Sequence, residues 1–498
     1  MIKQENIDRI ISDVSIRDVA IDEGITFSKE RGGKLWACCP FHNENTPSFF
    51  VDTGTNTWKC YGGCHSGGNV ISLYRKLKND LPFPIACKEL AKKYLNEDIE
   101  DDYKPSKEDE EKQKEKESLQ IILSYAQEFY VQCIHEVNPA ANKARETVRK
   151  RWGADAIERF GIGYAPRDGF IEWAMRKGLD FDLLEQVGLI GIGERGKYAM
   201  LRDRYTIPIY DKMSNVIGFT ARTMSDDKDI CKYLNLKNSL VYAKDKSVFG
   251  INFAQKEARL KNKFYLVEGA PDVVKLQSLE ILNTVASLGG AWTENQLKQL
   301  YHISHTVTFI PDADTLKPGN EWPAGTANVF ANGREALAAG FTVNVREIPI
   351  DYPAPKKEDP DSWIVDKAHF QQMKEEEFIY WFCRRRYWPT ADDIEQMTTE
   401  DRLKAIADIC SLLMMIRDED LRTSYLTGLC TMYKHSREWK DTLKRAKESE
   451  LSAKQEKERK GDIKMLREFG FTEHDNSYWG TNKDGDEIQW SNFKLKRL

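Results

Sequence analysis

Apolar and polar positions follow one another along the chain in distinct periods, and each period predicts an element. Ile7, Ile10, Ile11 and Val14 share one face of a helix predicted over residues 5–24. Within 34–77, the residues between His42 and Cys60 alternate like a hairpin, flanked by turns that contain Gly or Pro. Residues 70–95 predict two helices with Pro82 and Pro84 between them. A nearly all-charged run, 97–118, cannot bury a core and predicts a linker, drawn towards helix at its end by the amphipathic stretch Leu119–Val131. Tyr205–Tyr210 alternates, Lys212–Asn215 reads as a turn, and Val216–Ala221 forms the second strand of a pair. Phe264–Val267 and Val307–Ile310 are short apolar runs without alternation, which predicts buried parallel strands. Residues 341–350 add another strand, Glu400–Tyr433 two helices and Arg437–Lys464 a charge-dense helix or linker. The helical stripes are Leu403, Ile406, Ile409 and Leu413, then Leu421, Leu426 and Leu429. The last stretch, 469–498, alternates like a small β-element.

Composition refines this outline. A chain of 498 residues with 41% hydrophobic and 31% charged side chains has room for three or four domains. No apolar run approaches the roughly 20 residues of a membrane span, and the start lacks the apolar stretch of a signal peptide. Net charge is −5, so bulk charge does not argue for nucleic acid, but its distribution does. Residues 196–263 hold 14 Lys and Arg against 7 Asp and Glu, whereas 97–117 holds 11 acidic against 5 basic residues.

Two clusters carry chemistry. Cys39-x2-His42 and Cys60-x3-Cys64 lie about 20 residues apart in turn-rich sequence. Two close pairs of N and S ligands make a tetrahedral Zn²⁺ site closed to substrate, and bunched cysteines without an export signal suggest metal rather than disulfides. Cys38 and His65 stand beside these ligands as possible substitutes. The second cluster is acidic. Phe264–Val267 runs into Glu268-Gly269 and then a helix with Asp272 in its first turn, and the later strand runs into Asp312-Ala313-Asp314. Ligands of open α/β sheets gather at the carboxyl ends of strands, and residues two apart in an extended segment face the same way. Crowded carboxylates repel unless a cation sits among them, and oxygen-only ligands suit Mg²⁺ or Mn²⁺. Asp272 alone reads equally as a helix cap. A turn at Ala286–Gly290 lets backbone approach a phosphate, a weak signal by itself.

The pairing of strand-EGxxxD with a later strand-DxD resembles the Toprim domain. CPFHNENTPSF followed by CYGGCHSGGNVISL resembles the CHC2 zinc ribbon of bacterial and phage DNA primases of the DnaG type. The family has two residues between its last two cysteines, and this chain has three. RETVRKRWGADAIERFGIGYAP resembles the opening of the primase polymerase core, and RDR, the GF…R element and KYLN resemble its basic subdomain in order. The resemblance implies a multidomain α/β chain with α+β elements. Its parts are a zinc-binding domain (1–96), a charged linker (97–118), a basic N-terminal subdomain of the core (119–260), a Toprim α/β domain with a largely parallel sheet (261–366), a helical C-terminal domain (367–436) and a charged helix with a small tail (437–498).

It also implies a function: RNA primers made on a single-stranded DNA template from ribonucleoside triphosphates. Cys39, His42, Cys60 and Cys64 then hold one structural Zn²⁺. Glu268, Asp312 and Asp314 are catalytic and, with Asp272, Asp359 and Asp361, hold two or three Mg²⁺ or Mn²⁺ ions. Glu268 stands alternatively as a general acid or base. Arg202, Arg204, Arg222, Lys232, Asn235 and Lys244 would hold template phosphates or nucleotide, and Phe49, Phe50, Trp58 and Tyr61 would offer stacking surfaces. Residues 315–323 read as an insertion at the active-site rim. The implied setting is the cytoplasm of a bacterial cell or phage-infected host, with no membrane partner and a replicative helicase met through the C-terminal region. No GxxxxGK[ST] loop occurs, so the chain carries no P-loop motor. Two other readings share the acidic cluster: a Toprim nuclease or topoisomerase, and a non-catalytic helicase-loading or DNA-binding protein.

Overall fold

The computed structural model describes all residues except 1, 3, 32, 43, 45, 63, 65, 79–80, 100–106, 195, 228, 302, 389, 391, 469–471, 475–476, 482–486 and 491–498, and from 453 onward it gives the backbone elements alone. The chain divides into two units, one of residues 1–335 and 341–375, the other of 336–340 and 376–498.

The first unit begins with helices Gln4–Asp13 and Ile16–Asp22 rather than the single helix predicted over 5–24. The break has a cause far away in sequence. Asn56, in a tight turn with φ 52°, donates through Nδ2 to the Ile11 and Val14 carbonyls and accepts from Ile16 N–H. It satisfies the groups that a helix break leaves orphaned. Ser15 then caps the second helix, accepting from Asp18 N–H. Five antiparallel strands follow in chain order: Lys29–Arg31, Lys34–Ala37, Phe49–Asp52, Thr57–Cys60 and Gly67–Asn69. Their inner face, with Phe49, Val51 and Trp58, packs on Ile10, Val14, Ile71 and Leu73 in a small core. Helices Val70–Leu77 and Phe83–Leu90 close it; Pro82 caps the second and Pro84 lies within its first turn rather than between the two.

The helix Lys107–His135 starts inside the run predicted as linker. Lys, Glu and Gln are strong helix formers, and Leu119, Leu123, Ala126 and Tyr130 anchor the following turns in a core, so the charged part continues a helix nucleated downstream. That helix lies against an antiparallel sheet in the order Tyr233–Asn235, Val216–Thr223, Arg204–Tyr210 and Gly163–Ala165. The expected pair is present, but residues 204–209 are buried throughout because the sheet is covered on both faces.

The next sheet includes, as successive neighbours, Val248–Phe249, Thr284–Ser287, Phe264–Val267, Thr306–Phe309 and Thr342–Arg346. Phe264–Val267 is parallel to both neighbours, with Leu266 opposite Phe309, while Val248–Phe249 runs antiparallel at the edge. The two predicted strands are therefore adjacent, and their carboxyl ends meet.

The second unit is helical: Phe378–Arg386, Thr399–Met415, Glu419–Tyr433 and Ser436–Glu468. Trp381, Trp388 and Trp439 are fully buried in it with Ile406, Ile409, Leu413 and Leu429, whereas Leu403 stays exposed. Three antiparallel strands, Thr472–His474, Ser477–Thr481 and Glu487–Trp490, form the expected terminal β-element. No helix among the described residues is long and apolar enough to cross a membrane.

Candidate active site and zinc centre

In the small sheet, Cys39, His42, Cys60 and Cys64 bring four ligand atoms within 4.8 Å of one another. Cys38 is exposed outside this group, and His65 lies outside the described residues. Cys39 and Cys64 Sγ are 3.5 Å apart: the Cys39 contact pulls the Cys64 thiol down to about 4, and the same contact with burial pushes Cys39 up. Three cysteine sulfurs and an imidazole that converge in this way are the donor set of a closed zinc site, which takes the cysteines as thiolates.

Glu44 organises the cluster. Its carboxylate accepts from Cys39 N–H at 2.6 Å, Ser48 N–H at 3.2 Å and Ser48 Oγ at 2.6 Å, and lies 2.9 Å from His42 Nε2. Partial burial pushes its pKa up, but the Ser48, Cys39 and His42 contacts outweigh that and hold it below the usual range. A carboxylate that fixes a ligating histidine is the usual outer support of such sites. Gly62 is required here, since a Cβ would strike Ser48 Oγ and come within 2.7 Å of Glu44 and His42.

Of the proposed stacking aromatics, Phe49 and Trp58 belong to the core. Phe50 is nearly covered, between Trp36 and Tyr61 at 4.9 and 5.7 Å, and Tyr61 is 56% exposed. Lys34 and Lys59 cover this row, 4.6 Å from the Phe50 ring and 4.9 Å from Tyr61.

At the second site, Glu268, Asp312 and Asp314 bring carboxylate oxygens within 4.8 Å of one another. Glu268 ends the strand Phe264–Val267, and both aspartates follow the adjacent parallel strand. Asp312 N–H reaches Glu268 Oε1 at 3.4 Å, and Asp314 Oδ2 accepts from Gly325 N–H at 3.0 Å at the start of the helix Ala324–Ala339. Gly325 has to be glycine, because a Cβ would run into the Asp312 carbonyl. Lys357 Nζ bridges Asp312 Oδ2 at 2.8 Å and Asp314 Oδ1 at 2.7 Å. Burial and Glu268 still push Asp312 up to about 7 despite that lysine, and burial raises Glu268 as well. Asp312 Oδ1 is buried and accepts no hydrogen bond from a described residue. Three hard oxygens, mutual repulsion and an oxygen left without a donor fit a divalent cation.

The other three acids fall outside this group. Asp272 accepts from Gly269 N–H at 3.0 Å with one oxygen and from Asp361 N–H at 3.1 Å with the other. Burial, then its acidic neighbours, hold its pKa well above the usual range. Asp361 accepts from Arg151 Nε and Trp152 Nε1, both at 2.6 Å, and Asp359 caps the short helix Pro360–Trp363. Asp272 thus makes the helix-cap contact that its position allowed, and Asp361 is held by residues distant in sequence.

Beside them opens a cleft of about 990 Å³ lined by Lys143, Lys150, Arg151, Arg222 and Lys232, with Asp359 and Asp361 at its acidic edge. Of the residues expected to hold phosphates, Arg222 and Lys232 line this cleft. Lys143, Lys150 and Arg151 were missed; they recur on one face of the helix Pro139–Trp152, a spacing that would have flagged them. Arg204 is buried, its Nη1 donating to the Ala221 and Lys232 carbonyls, so it holds the sheet rather than facing the cleft. Arg202 lies against the Tyr198 ring, Asn235 lines a separate small cavity, and Lys244 is exposed near Gly289.

Two family models match: a CHC2 zinc finger over residues 2–107 and the N-terminal domain of the DNA primase catalytic core over residues 130–255. A DNA primase of Pseudomonas putida is 33% identical over 377 residues, 73% of this chain and 53% of the relative. One of Clostridium acetobutylicum is 29% identical over 387 residues, 77% of this chain and 61% of the relative. The chain thus spans about half the length of the curated relatives it matches. Among solved structures, the zinc-binding and RNA polymerase domains of the Aquifex aeolicus primase align with a TM-score of 0.51 at 26% identity, covering 86% of this chain and 97% of that one. A DnaG primase catalytic domain bound to single-stranded DNA aligns with a TM-score of 0.52 at 25% identity, covering 64% and 96%. The cysteine cluster, the acidic cluster and the basic cleft therefore sit in a chain that carries the CHC2 zinc finger and the N-terminal domain of the catalytic core of the DnaG-type DNA primases, and that resembles solved primase structures beyond those matches.

Proposed function

We propose that this chain is a DNA primase, making short RNA primers on single-stranded DNA by nucleotidyl transfer. The observation that carries the reading is the meeting of Glu268, Asp312 and Asp314 at the ends of two parallel strands, in a chain whose fold aligns with solved primase catalytic domains. These three residues would hold Mg²⁺ or Mn²⁺, which when bound neutralises the triphosphate and favours ionisation of the attacking 3′-hydroxyl. The chain's own groups do the rest. Asp272 and Asp361 fix the loops around the cluster, Arg151 holds Asp361 in place, and Arg222, Lys232, Lys143 and Lys150 offer cations to a phosphate chain in the cleft. The zinc module presents Tyr61 and its lysines as a surface for template bases. The helical second unit is the proposed contact for a replicative helicase, and a bacterial or phage-infected cytoplasm the proposed setting.

The test is primer synthesis by the full chain with mixed-sequence single-stranded DNA, four ribonucleotides and Mg²⁺ or Mn²⁺. Template-dependent short RNA is expected, and Asp312→Asn should reduce it by roughly a hundred-fold or more while DNA binding persists. DNA cleavage in place of synthesis would favour the nuclease. Neither activity, even with a partner helicase added, would favour a loading factor.

A further inference from the structure

We propose that Lys357 is a tethered counter-cation of the carboxylate cluster, seated on Asp312 and Asp314 until a divalent ion displaces it, so that it sets the metal concentration at which the site loads. The inference rests on the reading of Glu268, Asp312 and Asp314 as metal ligands. Its basis is a backbone contact. Ala313 and Glu358 form an isolated antiparallel bridge, with Ala313 N–H on the Glu358 carbonyl at 2.8 Å and Glu358 N–H on the Ala313 carbonyl at 3.0 Å. In that register residue 357 lies opposite Asp314 and residue 359 opposite Asp312, and alternation puts Lys357 on the same side as both aspartates. The ammonium reaches both, at 2.8 and 2.7 Å.

The two aspartate side chains are 10% and 13% exposed, whereas that of Lys357 is 55% exposed. The lysine therefore enters from solvent on a flexible stem and can leave without disturbing packed side chains. A divalent ion takes its oxygens at about 2.0–2.1 Å, so on the same carboxylates it would sit within a few ångströms of Nζ. Two cations that close repel by several kcal/mol at the effective dielectric of about 20 that suits such sites. Lys357 and the ion exclude each other. The preceding lysine is an internal control: Lys356 pairs with Glu358 Oε1 at 3.2 Å, is 82% exposed and is not paired to the cluster.

The experiment is Mn²⁺ titration of the zinc-loaded full chain at pH 8, with free Mn²⁺ read by electron paramagnetic resonance. Lys357→Met should bind roughly ten-fold tighter or better, and Lys356→Met, which removes the same charge from the same loop, should stay within about two-fold of wild type. Lys357→Gln should follow Lys357→Met, which separates charge from packing, and both should show a larger Mn²⁺-induced rise in melting temperature. Unchanged or weaker binding in both Lys357 variants, beside Asp312-dependent binding in wild type, would overturn this proposal and leave the metal reading standing. If Asp312→Asn leaves Mn²⁺ uptake unchanged, or no protein takes up Mn²⁺, the metal reading falls and this proposal with it.

Discussion

The Cys/His cluster and the carboxylate cluster both suit a metal ion, and the chain builds them in opposite ways. Cys39, His42, Cys60 and Cys64 come from one short stretch, and their support, Glu44 and Ser48, comes from the loop between the pairs. The module's own core is small, so ligation completes a fold that its side chains only partly determine. Glu268, Asp312 and Asp314 come from two strands of a larger sheet that is packed without them, and their electrostatics oppose burial. Four soft or borderline ligands close a site; three hard oxygens leave coordination positions open. At the first site a metal is part of the structure. At the second the proposed metal would be part of the chemistry, with Lys357 as the proposed holder of its place.

The largest effect that tests this contrast is at the zinc ligands. Cys60→Ser with Cys64→Ser should lose zinc and unfold residues 34–70, because structural zinc contributes on the order of 10 kcal/mol to such modules. Metal analysis and hydrogen exchange would check it. Protection in the strands Phe264–Val267 and Thr306–Phe309 should stay unchanged, and zinc retained at one per chain would refute the ligand assignment.

A smaller effect, of opposite logic, lies at the carboxylates. Burial and Glu268 raise Asp312 from 3.8 to about 7, so the folded state favours its protonated form. Stability from this group is present below about pH 4 and is lost as pH rises through about 7. At about 1.4 kcal/mol per pKa unit the loss is bounded by about 4 kcal/mol. Urea unfolding with resident zinc but no other divalent ion should show stability falling across that window in wild type, a flatter profile in Asp312→Asn, and recovery on adding Mg²⁺. Identical profiles in the two proteins would mean that the cluster carries no such strain.

Much of this was legible in the sequence, for physical reasons. Zinc ligands declare themselves by spacing because one loop must wrap one ion. Glu268, Asp312 and Asp314 were legible because unbroken apolar runs mark buried strands and their carboxyl ends mark sites. What stayed hidden depends on contacts between distant residues. Asn56 splits the first helix from more than 40 positions away, and Arg151 meets Asp361 across 210. The partners that hold Asp361, the Arg151 guanidinium and the Trp152 indole, and the Asp361 N–H that meets Asp272 come from residues too far along the chain for residue type to reveal. Arg204 looked like a phosphate contact, but a packed sheet turns it inward. Lys357 was unremarkable until the bridge from Ala313 to Glu358 placed it.

The smallest expected effect bears on the part of the zinc site that spacing does not reveal. Glu44 is not among the four ligands, yet it accepts from Cys39 N–H and Ser48, lies 2.9 Å from His42 Nε2, and so holds three of the elements that must converge. Glu44→Gln keeps the size but replaces one acceptor oxygen with an NH₂ donor, so it cannot reproduce all four contacts and no longer supplies the negative charge beside the imidazole. Outer supports of this kind are worth about 10–100-fold in metal affinity, or about 1.4–2.8 kcal/mol. Zinc competition against a chromophoric chelator should therefore show weaker binding by that factor, with the five-stranded sheet still formed at saturating zinc. Ser48→Ala, which removes only the hydroxyl that joins Glu44 to Cys60 Sγ at 3.3 Å, should cost less. If Glu44→Gln bound zinc as tightly as wild type, ligand spacing alone would be holding the site, and the contrast between a closed, self-supported metal centre and an open one would rest on coordination number only.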